Sequence, residues 1–153
     1  MRPKTASAVI AGLFLASSLS GQEKKLRHSD LPAAVAKTAT EESKGATVRG
    51  YSQETENGQT VYEVAMTVSG HSKEVQIDAS GAVLEIEEQV NLENLPAKVQ
   101  SALMAKAGAG KIVKVESLTK KQKLVAYEAQ VNTGGKKSEI QVGPDGEPLD
   151  HEE

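Results

Sequence analysis

The chain presents the same series of local signals twice. Leu31-Pro32-Ala33-Ala34-Val35 returns as Leu95-Pro96-Ala97-Lys98-Val99, 64 positions later. Val61-Tyr62-Glu63-Val64 returns as Ala126-Tyr127-Glu128-Ala129, and Glu74-Val75-Gln76-Ile77 as Glu139-Ile140-Gln141-Val142, both 65 positions later. Gly81 and Leu84 have counterparts in Gly146 and Leu149 at that second offset. The order of the signals is kept throughout, so coincidence explains them poorly. The change of offset by one residue places an insertion between the first motif and the central strand of the second copy. A period of this length constrains the fold more than any single motif, because both copies must be read as one supersecondary unit.

Each copy predicts a helix first. Asp30 and Asn94 stand where an N-cap belongs, since either side chain can accept from the free N–H groups of a first turn. Pro32 and Pro96 follow within that turn, where a missing N–H costs nothing. Leu31, Val35, Thr38 and Ala39 recur at helical spacing, as do Leu95, Val99, Ala102 and Leu103, each set giving one apolar stripe. Gly45 and Gly108 are suited to stop the helices. Strands are expected over Thr47–Glu54, Thr60–Val68, Lys73–Asp78 and Val83–Glu87, then Lys111–Leu118, Leu124–Val131, Lys136–Val142 and a short piece near Leu149. Asn57-Gly58, Ser69-Gly70, Ser80-Gly81, Gly134-Gly135 and Asp145-Gly146 supply tight turns between antiparallel neighbours. Tyr62, Val64, Met66 and Val68 alternate with Glu63, Ala65 and Thr67, and Tyr127, Ala129 and Val131 with Glu128 and Gln130. One sheet face is therefore apolar and helix-covered, the other polar. The expected fold class is α+β, as two tandem helix-plus-antiparallel-meander units over 22–90 and 91–153.

Residues 1–21 read as an export signal. Arg2 and Lys4 are followed by the apolar run Ala8–Ala16 and by small residues to Gly21, the three parts of a secretory leader. The run is too short for the ~20 residues of a spanning helix, so no membrane anchor is expected after cleavage, and the expected location is periplasmic or secreted. With the two leader cations removed, the remainder carries a net charge of about −5, which argues against nucleic acid as a partner. The chain lacks Cys and Trp, and its single Phe, Phe14, lies in the leader. Disulfides, thiolate chemistry and Cys-ligated metals are thereby excluded.

Motif by motif, the sequence gives no reason to expect catalysis, a cofactor or a metal. His28, His71 and His151 are scattered over a helix approach, a turn and the closing segment, with no ligand spacing between them. Asp78-Ala79-Ser80-Gly81 and Pro144-Asp145-Gly146 lack the alternating oxygen ligands of a calcium loop and read as turns. Asp150-His151-Glu152-Glu153 reads as a frayed acidic end. No Gly-x-Ser-x-Gly elbow occurs, and Gly108-Ala109-Gly110-Lys111 lacks the phosphate-loop frame. The one constellation that could bind is acidic. Glu63, Glu74, Glu128 and Glu139 fall at matching places in the two copies, in phase opposite to the apolar face, and Glu85 and Glu87 extend the set. If the two sheets lie edge to edge these carboxylates make one stripe; if splayed, two weak patches.

The Leu-Pro helix start, the Tyr62-Glu63-Val64 strand, the Glu74-Val75-Gln76-Ile77-Asp78 strand, the turn at Gly81 and the Val83-Leu84-Glu85 exit together resemble PepSY-like domains. These are small exported α+β modules known from the propeptides of thermolysin-type proteases. Tandem units of this kind are also similar to the beta-lactamase-inhibitor-protein architecture. The resemblance implies binding to an extracytoplasmic protein or peptide, with inhibition or modulation of a secreted peptidase as one role. It transfers no catalytic residue onto this chain. A small-ligand or cation-binding periplasmic protein is the alternative expectation.

Overall fold

The computed structural model describes residues 23–56 and 58–153; the expected leader over 1–21 lies outside them. Among the described residues there are eight strands: β1 (Lys24–Leu26), β2 (Thr47–Glu56), β3 (Gln59–Val68), β4 (His71–Asp78), β5 (Val83–Gln89), β6 (Lys111–Lys120), β7 (Lys123–Thr133) and β8 (Lys136–Val142). Two helices, α1 (Ala33–Glu42) and α2 (Ala97–Ala107), precede β2 and β6. All eight strands form a single antiparallel sheet in the order β1-β2-β3-β4-β5-β6-β7-β8.

This corrects the expected fold class. The chain is not two tandem helix-plus-meander units, each with its own sheet, but one β-rich layer with two short helices on one face. The decisive pairing is β5 with β6, in register from Glu85 opposite Lys120 to Gln89 opposite Glu116. That pairing satisfies the backbone groups that would be left open at the edges of two separate sheets.

The helix-covered face holds the core. Val35 and Ala39 of α1, with Leu31 before it, pack on Val64, Met66, Val75 and Ile77, with Tyr62, Tyr51 and Ile86 partly buried around them. Val99 and Leu103 of α2 pack on Val115, Ala129 and Val142, with Tyr127 and Ile140 at their margin. The period-2 alternation of β3 and β7 thus sets which side chains meet the helices. Polar ties fix the helices to the sheet. Thr38 Oγ1 donates to the Gly81 carbonyl at 2.6 Å, Lys106 Nζ donates to the Gln141 carbonyl at 2.7 Å, and Lys73 pairs with Glu42 at 3.5 Å. Gly81 (φ +88) and Gly146 (φ +81) sit against the first turns of α1 and α2, where a Cβ would lie 2.8 Å from the Ala34 oxygen and 2.6 Å from the Lys98 oxygen.

Three local expectations are revised. Asp30 and Asn94 do not cap the helices; Pro32 and Pro96 occupy the N-cap positions, and Asp30 instead accepts from the Arg27 backbone and guanidinium. Lys24–Leu26 forms an edge strand paired with β2, which two lysines and one leucine did not announce. No strand forms near Leu149.

Candidate functional site

The helix-free face of the sheet carries the four predicted glutamates, and the single sheet makes it continuous. Register places Glu63 opposite Ser52 and Gln76, and Glu74 opposite Ala65 and Glu87. Across the central pairing, Glu87 stands opposite Leu118 and Gln89 opposite Glu116. Glu116 faces Glu128, Glu128 faces Gln141, and Gln130 faces Glu139. The edge-to-edge arrangement therefore holds: carboxylates from β3, β4, β5, β6, β7 and β8 share one surface.

That surface is not simply solvated. Val61, Leu118 and Ala126 are buried on it, and Glu116 retains only 4% of its exposure. Glu63 sits partly desolvated beside Glu74, Glu54 and Glu23, with Arg49 offsetting them in part, and its pKa is pushed up to about 7, burial being the largest cause. Glu87 rises to about 8, again through burial first, then through its hydrogen bond and repulsion with Glu85 and through Glu116 and Glu128. Glu128 is raised by burial and by Glu139 and Glu116, and held down in part by the Gln141 amide, which donates to it at 2.8 Å. Like charges brought together in partial burial favour the protonated form.

Cations border this cluster. Arg49 reaches Glu74 at 3.3 Å, Lys120 reaches Glu85 at 3.3 Å, and Lys114 pairs with the buried Glu116 at 2.5 Å. None of these salt bridges engages Glu63, Glu87 or Glu128. Glu139, on the outer strand, is exposed and serves as the rim of the surface rather than its centre. Sequence reasoning missed Glu116 and underweighted Glu87. The alternation of Glu116 with Val115 was the available signal for the first, but its meaning depends on the β5–β6 pairing. Among the described residues no group of three or more His, Asp or Glu side chains is arranged to hold a metal ion, and no helix is long and apolar enough to cross a membrane.

The closing segment is also corrected. Residues 150–153, expected as a frayed end, are held at Glu153. The Glu153 backbone N–H donates to Gln141 Oε1 at 2.8 Å, and its carboxylate lies 3.8 Å from Lys120 Nζ and 3.7 Å from His151.

A single antiparallel sheet with two helices on one face and a free polar face on the other is a BLIP-like β-rich fold. Solved structures share it at low sequence identity. A BLIP-like protein from Bacteroides fragilis is 23% identical, with a TM-score of 0.59 over 78% of this chain and 83% of that one. A chain from Bacteroides eggerthii described as a putative periplasmic protein is 18% identical, with a TM-score of 0.63 over 76% of this chain and 84% of that one. A DUF2874 family protein from Bacteroides uniformis is 18% identical, with a TM-score of 0.61 over 76% and 84% respectively. No family model matches the sequence. No curated protein matches it either.

Proposed function

We propose that this chain is an exported, non-catalytic binding module that engages a basic protein or peptide through the helix-free face of its sheet. One observation carries the reading: Glu63, Glu87 and Glu128 are held half-buried beside other carboxylates, and their acidity is suppressed as a result. A lysine or arginine entering there would favour the ionised carboxylates and draw off the protons that burial and like charge make them hold, and would be bound in a partly desolvated setting where charge-assisted hydrogen bonds are strong. The fold likeness to a BLIP-like protein and to a chain described as periplasmic supports the inhibitor-like form of this reading. The leader-like residues 1–21 support export. Its sharpest form is a PepSY-like periplasmic inhibitor or modulator of a peptidase.

The test is capture of a partner from the native extracytoplasmic fraction, followed by association kinetics of the purified pair across a salt series. Steering by this face predicts an association rate that falls steeply with salt. A variant with Glu63→Gln, Glu74→Gln, Glu128→Gln and Glu139→Gln should associate more slowly while keeping a native spectrum. Capture by that variant at the wild-type rate in low salt refutes the reading.

A further inference from the structure

The segment after β8 gives the face an occupant of its own. After Val142 the chain makes the turn closed by Gly143 N–H to the Glu147 carbonyl at 2.8 Å, with Gly146 set against α2. It then passes beside Glu139, Ile140 and Gln141 of β8. Leu149, Asp150, His151 and Glu152 line a groove of about 610 Å³ with Lys106, Ile140 and neighbouring β8 residues. Glu153 ends this path on the helix-free face. Its N–H is bound by Gln141, which is buried and turns its amide nitrogen to Glu128. Its carboxylate approaches Lys120 on β6, the cation that also pairs with Glu85. The segment thus touches Gln141 of β8 and Lys120 of β6, and it ties up one of the face's polar side chains and one of its bordering cations.

We propose that residues 149–153 are a self-occupying strap, which a basic peptide or protein must displace to reach the β6–β8 half of the acidic face. The proposal rests on the binding reading above. It differs from that reading in the sign of one experiment. Asp150, Glu152 and Glu153 add negative charge to this end of the molecule, so if they merely extend the acidic surface their deletion weakens binding of a cationic ligand. If they occupy the surface, their deletion strengthens it. A strap held by one hydrogen bond and one ion pair leaves the face open for a minor fraction of the time, and apparent affinity scales with that fraction.

Deca-lysine serves as the probe, titrated at low ionic strength into the full chain and into a chain lacking residues 150–153. Deletion is expected to raise the apparent affinity about fivefold. In the full chain, the Glu153 backbone amide is expected to be protected from hydrogen exchange, and to lose that protection when the probe binds. An affinity that is unchanged or reduced on deletion overturns the strap and leaves the binding face standing. Exchange of the Glu153 amide at the unstructured rate in the free protein overturns the strap whatever the probe does. Failure of both chains to bind deca-lysine, with Glu153 protected, overturns the binding reading and the strap's role together.

Discussion

Replacing Glu63 by Gln should make the protein less sensitive to alkaline pH without weakening it in acid. The carboxyl is half-buried among Glu74, Glu54 and Glu23, with Arg49 offsetting them in part, and its folded-state pKa stands at about 7 against an ordinary value of 4.5. Below pH 4.5 both folded and unfolded chains hold the proton, and the site is neutral toward folding. As pH rises from 4.5 toward 7 the unfolded chain releases it first, so folding stability declines; above 7 the folded chain has released it too and the deficit is complete. At about 1.4 kcal/mol for each tenfold change in acidity, the full difference corresponds to about 3.5 kcal/mol. Partial solvent access reduces this to about 1–2 kcal/mol. Urea denaturation of wild type and Glu63→Gln at pH 5 and pH 9 measures it. The two should be nearly equal at pH 5, and the variant should be more stable by about 1–2 kcal/mol at pH 9. A variant that is equal to or less stable than wild type at pH 9 would show that the carboxylate is well solvated or well paired, and the account of a strained acidic face would fail with it.

Three further outcomes follow from the packing. Tyr62→Ala and Tyr127→Ala should each cost about 2–3 kcal/mol by chemical denaturation, as half-buried rings at the margins of the two core clusters; an unchanged midpoint would mean the strand phase is misread. Gly81→Ala and Gly146→Ala should each cost about 2 kcal/mol or more, because a left-handed backbone and a clash with a helix carbonyl add. Gly135→Ala, left-handed but facing open space, should cost about 1 kcal/mol, and equal losses at all three sites would discount the helix contact. Calorimetry of the intact chain should show one transition, and residues 22–90 alone, with the β5 edge unpaired, should be partly unfolded or self-associated. Two separable transitions would contradict a sheet that acts as one body across β5 and β6.

Local signals made much of this structure legible. Leu31-Pro32 and Leu95-Pro96 located the helices to within two residues, and the alternation through Tyr62–Val68 and Tyr127–Val131 gave the buried phase correctly. Those signals are set by neighbours three or four residues apart, or on the next position of the same strand. The joining of β5 to β6 is different in kind. Leu84-Glu85-Ile86-Glu87 alternates well enough to be a strand, but alternation says nothing about which strand lies beside it. The same limit governs the site. Alternation and the repeat put Glu63, Glu74, Glu128 and Glu139 on one face, whereas the suppressed acidity of Glu87 and Glu128 draws on Glu116, which arrives from a strand whose placement is a long-range fact. Residues 150–153 read as a frayed end because their acidic, polar composition is that of an unpaired segment, and only the positions of Gln141 and Lys120 give them a place.

Strand order in the sheet is strand order in the chain, and this bears on how the molecule is assembled in time. Every strand pairs with the one made just before it, so no pairing waits for a distant segment and the loops that must close are short, apart from the two that contain the helices. Such a topology keeps the entropic barrier of each step low and favours rapid folding for a β-rich protein. A chain emerging from its N-terminus can lay down β2, β3 and β4 against α1 before β6 exists. Until then the edge of β5 is the growing front, exposed and able to pair with the wrong neighbour. The slow and vulnerable moment of folding is therefore the interval during which residues 90–110 pass and α2 forms, and it closes when β6 docks along β5.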